Sequence, residues 1–243
     1  MTTLSGPATA ALSPFGRVAG VFIHPAQTLT DIARRPSWWL PLVLLVLVSV
    51  GIGIALAQRV NWEEYVSSKM DASPGAAQLS PEQRQQRAET GAKYARLWCY
   101  GFGPIVVPLT LLFFAAIYLG AFNLIANADL RFGQSAGIVA HAMMPSLVSG
   151  ILAIIVLAVK DPSTIDPNQP LASSLYAFLP SDAPQWLQSV GSSIEIFFLW
   201  MLALVSIGFA AANPRKVTRA KSFGIVFGLW GAWVLGKVIW AVL

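Results

Sequence analysis

One short stretch of the sequence has the residue types of a nucleophilic active site. The residues from Gly133 to Gly137 read Gly-Gln-Ser-Ala-Gly, the pattern of an elbow that presents a serine nucleophile, and His141 follows on the same predicted helix. An elbow requires a strand before the serine, whereas here a helix precedes the short connection from Asn127 to Phe132. The helical spacing also rotates His141 by about 240° from Ser135. We therefore predict no catalytic residue and no enzymatic activity.

Three ionisable residues, His141, Glu195 and Lys237, lie inside apolar runs. A charge at membrane depth is costly, so each of them is a candidate functional residue. At 1.5 Å per residue, Glu195 and Lys237 each lie about 8 to 9 Å from the same-side ends of their runs. Equal depth on sequential antiparallel helices predicts an ion pair between them. The alternative is that Lys237 extends to the headgroups while Glu195 reaches water through the preceding loop.

A second polar contact is expected near the other end of the bundle. His141 lies near the start of the third apolar run and Asn123 near the end of the second. Their side chains could therefore meet across the turn between these runs. The alternative is a neutral histidine whose hydrogen bonds serve packing alone.

Several other chemistries are excluded by composition. The single cysteine, Cys99, cannot form an internal disulfide, and His24 and His141 lack the spacing of metal ligands. The formal net charge is +5, but the basic residues lie beside apolar runs and not on one soluble face. We therefore expect no cofactor, metal or nucleic-acid partner. Membrane lipids are the expected partners, with a second copy or another protein as further candidates.

The elements that position these residues are membrane helices. Hydrophobic residues make up 56% of the chain and charged residues 11%, whereas a soluble domain contains roughly 25% charged residues. A helix needs about 20 apolar residues to cross the hydrocarbon core, and five runs reach that length. Their approximate ranges are 38–57, 99–126, 134–159, 190–212 and 222–243. This pattern predicts an all-α, polytopic membrane protein whose five-helix bundle spans residues 38–243.

Residues 1–37 are predicted to form a cytoplasmic N-terminal segment. It lacks the apolar core and cleavage site of a signal peptide, so we expect it to be retained. Two short amphipathic helices, Phe15 to Ile23 and Ala26 to Ala33, are separated at Pro25. Their apolar side chains are predicted to enter the membrane interface, namely Phe15, Val18, Phe22, Leu29 and Ile32. The alternative is a docking surface for a cytoplasmic partner.

The segments between the spans contain local structural signals. Ser80 and Gln83 form a capping box, which predicts a helix that begins at Pro81 and continues into the second span. A turn is predicted at Pro74 and Gly75. The proline-rich segment 160–188 cannot be one regular helix and is expected to cap the bundle. Prolines inside the second and third runs predict kinks, at Pro104, Pro108 and Pro145.

The distribution of charge predicts the orientation. The loops on the N-terminal side contain two acidic residues, Asp31 and Asp129, and eight basic ones: Arg17, Arg34, Arg35, Arg131, Arg215, Lys216, Arg219 and Lys221. The loops on the other side contain more acidic residues than basic ones. Because basic residues near span ends remain in the cytoplasm, the N-terminus is predicted to be cytoplasmic and the C-terminus exterior.

The last span has one face of small residues. Gly224, Gly228, Ala232 and Gly236 are spaced by four and allow another helix to approach closely. This face is interpreted as a packing surface within the chain, with dimerisation as the alternative.

Several short motifs occur along the chain: Phe22-Ile23-His24-Pro25, Arg34-Arg35-Pro36-Ser37-Trp38, Leu40-Pro41, Phe132-Gly133-Gln134-Ser135, Ala140 and Met144-Pro145. Together they resemble the motifs of bacterial members of the Ypt-interacting-protein (Yip) domain family. The resemblance covers roughly Phe15 to Leu243. It implies a five-span bundle with a cytoplasmic N-terminus and a C-terminus on the far side of the membrane. We expect the protein in the inner membrane of a bacterium.

The resemblance implies less about activity. Eukaryotic members bind prenylated Rab-type GTPases and carry an Asp-Leu-Tyr-Gly-Pro motif before the first span. The most similar segment here runs from Tyr100 to Pro104, but it lies in the second span and lacks the acidic residue. GTPase binding is therefore not carried over. The favoured function is a non-enzymatic membrane scaffold or adaptor in membrane organisation or trafficking. The alternative is a small transporter or lipid-moving protein that uses Glu195, Lys237 and His141.

Overall fold

In the computed structural model, which describes residues 12–71, 73, 79–180 and 182–242, the chain is a succession of α-helices. They are α1 Pro14–Ile23, α2 Pro25–Arg34, α3 Trp39–Arg59, α4 Trp62–Asp71, α5 Pro81–Ala126, α6 Phe132–Ala142, α7 Met144–Val159, α8 Gln185–Ser193, α9 Ile196–Ala212 and α10 Arg219–Val242. No strand occurs among these described residues. The predicted all-α class is confirmed.

Four helical segments are long and apolar enough to cross a membrane. They are Trp39–Arg59, Pro81–Ala126, Phe132–Val159 and Arg219–Val242. The helix in the fourth predicted run, α9, is apolar but has only 17 residues. A 30 Å hydrocarbon core needs about 20, so the count of five spans is approximate.

The capping box at the start of α5 is confirmed. The backbone N–H of Ser80 donates to Gln83 Oε1 over 3.0 Å, and the backbone N–H of Gln83 donates to Ser80 Oγ over 3.3 Å. The helix then continues into the apolar run and passes Pro104 and Pro108 without a break. The turn expected at Pro74 and Gly75 lies outside the described residues.

The third predicted run is interrupted where its proline indicates. Helix α6 ends at Ala142 and α7 begins at Met144, directly before Pro145. A proline ring clashes with the carbonyl four residues earlier, here that of His141, which accounts for the interruption.

The prediction that Val190 to Ala212 forms a single helix is wrong. Helix α8 ends at Ser193 and α9 begins at Ile196. Between them the chain pairs with an earlier segment, because the N–H of Leu175 donates to Ile194 O over 3.0 Å and the N–H of Ile196 donates to Ser173 O over 3.2 Å. Backbone pairing with a distant segment replaces the helical hydrogen bonds at this point.

The described chain divides into two compact units. The first unit contains the described residues up to Pro41, together with Leu111–Met144 and Trp200–Trp233. The second unit contains Leu42–Thr110, Pro145–Leu199 and Val234–Leu243. Five helices, α3, α5, α7, α9 and α10, contribute residues to both.

Glycines allow close helix packing inside the first unit. A Cβ added at Gly20 of α1 would overlap Thr28 of α2. A Cβ at Gly137 of α6 would lie 3.3 Å from Ile32 Cγ2 and 3.4 Å from the backbone of Ser37. Helix α2 therefore packs against both α1 and α6, at contacts where a larger residue would force its neighbours to shift.

This packing changes the role of two predicted interfacial residues. Leu29 and Ile32 were expected in the membrane interface, but both are fully buried inside the first unit. Phe15 remains exposed, with 69% of its surface accessible. The expectation is wrong for Leu29 and Ile32 because α6 covers the face of α2 on which they lie.

In the second unit, the segment between α7 and α8 is irregular, as its prolines predicted. It contains two short 3₁₀ turns, Pro162–Thr164 and Leu175–Phe178. Asp161 caps the first of them, since its Oδ1 accepts the backbone N–H of Ser163 over 3.0 Å. This hydrogen bond lowers the pKa of the Asp161 carboxyl and keeps it ionised.

Candidate functional site

The serine of the elbow-like segment has a structural role. The Ser135 hydroxyl is buried and donates to Ala115 O over 2.6 Å. Its neighbour Gln134 accepts the backbone N–H of Arg131 through Oε1 at 3.0 Å, and its amide donates to Ala33 O at 3.0 Å. Gln134 thus caps the N-terminus of α6, and the two side chains bond α6 to α2 and α5.

His141 is buried in α6 and forms its hydrogen bond within that helix. Only 1% of its surface is accessible, and Nδ1 lies 2.9 Å from Gly137 O. At this distance the Nδ1–H tautomer donates to the carbonyl. The arrangement matches the alternative in which a neutral histidine serves packing.

Asn123 stabilises the turn between α5 and α6. Its amide donates to Leu130 O over 3.0 Å, and its Oδ1 accepts the Leu130 N–H over 2.9 Å. Two residues of this turn, Asn127 and Asp129, have positive φ angles of 47° and 51°, which short polar side chains tolerate best. The expected contact between Asn123 and His141 is therefore wrong, because each side chain is bonded to nearby backbone.

The start of α10 continues this pattern of buried serines. The Ser206 hydroxyl donates to Leu202 O over 2.8 Å, and the Ser222 hydroxyl donates to Ser206 O over 2.7 Å. Both serines are fully buried in the first unit. The Ser206 hydroxyl thus bonds within α9, and the Ser222 hydroxyl joins α10 to α9.

Arg17 is a buried charge that the sequence did not reveal. It is 6% exposed, and its Nε donates to Asp31 Oδ2 over 2.9 Å. Its Nη1 donates to Arg35 O over 2.8 Å and to the Ser37 hydroxyl over 2.7 Å. Arg17 therefore connects α1, α2 and the segment that leads into α3. The sequence signal was weak, since a lone arginine on a short helix resembles any solvated charge.

Glu195 lies in the second unit, at the break between α8 and α9. Its carboxylate accepts the N–H of Phe197 over 3.1 Å and that of Phe198 over 2.7 Å, so it caps the N-terminus of α9. An acidic side chain at this position is stabilised by the unpaired N–H groups of the first turn. An isolated antiparallel β-bridge joins Glu195 to Ser174.

Lys237 contacts a group of serines at the end of α8. Its ammonium donates to Ser193 Oγ over 2.9 Å, to Ser192 Oγ over 3.2 Å and to Ser189 O over 3.3 Å. The hydroxyls of Ser192 and Ser193 also donate to Ser189 O. A cation is favoured here because the C-terminal carbonyls of a helix carry partial negative charge.

The predicted ion pair between Glu195 and Lys237 is wrong. Among the described residues no ion pair joins the two, because Glu195 caps α9 and Lys237 contacts the end of α8. The apolar run predicted one continuous helix, whereas the break creates two helix ends. Glu195 stabilises the start of α9, and Lys237 stabilises the end of α8.

A cleft of about 390 Å³ lies beside the break in the second unit. Most of its lining residues carry hydroxyl, amide or carboxylate groups. They include Ser146, Ser149, Asn168, Gln169, Ser192 and Glu195. The serines on α7 were the available sequence signal, although two serines in an apolar helix are not specific. Among the described residues no group of three or more His, Cys, Asp or Glu side chains could hold a metal ion.

The small-residue face of α10 is open. Gly224, Gly228, Ala232 and Gly236 are all exposed. A Cβ added at any of the three glycines would meet no atom within 4 Å. The interpretation of this face as a packing surface within the chain is therefore wrong for the described residues, and dimerisation stays a prediction.

These features define an all-helical, polytopic membrane protein whose buried polar groups mostly bond to helix backbone. The Yip1 domain matches residues 19–243 of the chain. The chain therefore belongs to the Yip1 domain family, and the resemblance seen in its motifs is confirmed. Neither the curated proteins nor the solved structures include a match to it.

Proposed function

We propose that this Yip1-domain protein is a non-enzymatic scaffold or adaptor in a bacterial inner membrane, with a role in membrane organisation or trafficking. It binds a second copy or another membrane protein through the small-residue face of α10. The observation that carries this proposal is that the face is exposed along the helix, and that a Cβ added at any of its three glycines would meet no described atom within 4 Å.

The exposure of α10 distinguishes it from the other spans. In its most apolar stretch 11% of the residues are buried, against 39% in the span formed by α6 and α7. Small residues spaced by four let two helix backbones approach closely, which favours helix association in lipid. A peripheral helix with such a face is suited to contacts between proteins.

The buried polar groups of the first unit support a scaffold over a transporter. Transport requires polar groups that are available along a passage. The side chains of Ser135, His141 and Ser206 instead form hydrogen bonds with backbone carbonyls. These bonds account for their burial without a substrate.

The proposed orientation has a cytoplasmic N-terminus and an exterior C-terminus. It rests on the excess of basic residues on the N-terminal side and on the family resemblance. In a background without Cys99, single cysteines at Thr3 and at Lys216 should be unreactive towards an impermeant maleimide added to intact cells. Labelling of either cysteine from outside would overturn this orientation.

Association is tested by energy transfer between labelled copies in liposomes at several lipid-to-protein ratios. The change Gly224→Leu with Gly228→Leu should weaken association about tenfold or more, which corresponds to about 1.4 kcal/mol. Gly101→Leu on α5 is the matched control, because an added Cβ there also meets nothing within 4 Å. Equal transfer in all three proteins excludes a second copy as the partner.

The transport alternative is tested in the same liposomes with fluorescent lipid scrambling and solute-efflux assays. A scaffold should produce no flux above protein-free liposomes. Flux that Glu195→Gln or Lys237→Met abolishes, in variants that remain folded, would contradict the scaffold.

A further inference from the structure

A groove with two arginines at one end runs along α2 in the first unit. Its volume is about 540 Å³, within the range of roughly 300–1,000 Å³ that is usual for small-molecule sites. Its lining includes Arg34, Arg35, Gln27, Thr30, Asp31 and Leu12. We refer to it as the α2 groove.

The two arginines give the α2 groove its charge. Asp31 is neutralised by Arg17, whose Nε donates to it over 2.9 Å. Arg17 also satisfies the Arg35 carbonyl at the end of α2. Among the described residues no ion pair includes Arg34 or Arg35, and both are exposed. Two positive charges therefore remain without an acidic partner among the described residues.

The position of the groove along the chain places it near the membrane surface. Helix α3, a candidate span, begins at Trp39, and Trp38 and Trp39 are 46% and 54% exposed. Tryptophans at span ends favour the headgroup layer. Arg35 and Trp39 are four positions apart, so the chain between them covers at most ~14 Å. The arginines thus lie at the level of lipid headgroups.

We propose that the α2 groove binds the phosphate of an anionic phospholipid, with Arg34 and Arg35 as its principal donors. A guanidinium donates two parallel hydrogen bonds to phosphate oxygens. The Gln27 amide is a neutral donor about two helical turns further along the groove. Residues 1–11 contain no Asp or Glu, so the chain's own N-terminal segment supplies no side-chain anion. A lipid is favoured over free phosphate because the tryptophans hold the groove in the headgroup layer.

The experiment measures lipid retention by the purified full chain in a neutral detergent, by native mass spectrometry. Dioleoyl phosphatidylglycerol is the anionic probe and dioleoyl phosphatidylcholine is the zwitterionic reference. The wild type should prefer phosphatidylglycerol, and Arg34→Gln with Arg35→Gln should lower its affinity for that lipid about tenfold or more. The affinity for phosphatidylcholine should not change.

The matched control is Arg215→Gln with Arg219→Gln. These residues are exposed and belong to the same unit, and their substitution removes the same charge as the Arg34 and Arg35 pair. The affinity for phosphatidylglycerol should therefore stay within about twofold of wild type. Equal losses in both pairs would show general surface attraction and overturn the site. No loss in either pair would overturn it as well.

Two further arms define the ligand. Arg34→Lys with Arg35→Lys keeps the charge but loses the paired geometry, so it should bind with intermediate affinity. Full retention in the lysine variant would contradict recognition by guanidinium groups. Displacement of the lipid by millimolar inorganic phosphate would show that free phosphate is the ligand. Each variant is compared at equal thermal stability in neutral detergent, so that a loss of binding is not a loss of folding.

Discussion

Within the first unit, the buried guanidinium of Arg17 is expected to hold α1 against α2 and the segment that leads into α3. The change Arg17→Met removes the charge but keeps an apolar stem of similar length. It leaves the Asp31 carboxylate without its partner and deprives Arg35 O and the Ser37 hydroxyl of a donor.

The size of this effect follows from burial. Removing one member of a buried ion pair costs about 3 to 5 kcal/mol. The side chains of Arg17 and Asp31 are 8% and 21% exposed, so water still reaches the carboxylate. We therefore expect the lower end, about 3 kcal/mol of local stability.

Hydrogen exchange of the α1 and α2 amides, followed by mass spectrometry in detergent micelles, measures this loss. About 3 kcal/mol corresponds to a roughly 100-fold drop in protection. Arg219→Met, at an exposed position of the same unit, should change protection by less than about threefold. Adding Asp31→Asn to Arg17→Met should recover part of the loss, because it removes the unpaired charge. Equal protection in the Arg17 and Arg219 variants, or strict additivity with Asp31→Asn, would refute the reasoning.

The remaining predictions concern the candidate site and the glycines. The effects of Glu195→Gln and Lys237→Met on the free energy of unfolding should be additive within about 0.5 kcal/mol, because each residue stabilises the end of a different helix. A larger coupling energy would indicate that the two residues form an ion pair. In a denaturation assay, Gly208→Ala should lower the free energy of unfolding by about 1 to 3 kcal/mol, because the added Cβ would overlap Ile138. Gly224→Ala, where the added Cβ meets no described atom within 4 Å, should be neutral or slightly stabilising. His141→Phe removes one buried hydrogen bond and should cost about 1 kcal/mol or more without any change in liposome flux, so altered flux in a folded variant would indicate a functional histidine.

Local patterns in the sequence predicted the class of the protein and much of its helical structure. The apolar runs placed the helices because every backbone group in lipid needs a hydrogen-bond partner, and a helix provides one within a single segment. Ser80 and Gln83 predicted the start of α5 because both partners of a capping box lie within one turn. The family motifs are likewise short and local.

The partners of the polar side chains were decided only by tertiary structure. The run from Val190 to Ala212 carries no strong break signal, and it divides because residues 194–196 pair with residues 173–175 of the preceding loop. This division supplies the helix ends that Glu195 and Lys237 stabilise. Arg17 became a buried link between segments because of where α1 and α2 pack. Helix formation in an apolar run depends on neighbours within a few residues, whereas the energy of a charge depends on whichever groups the fold brings within about 3 Å.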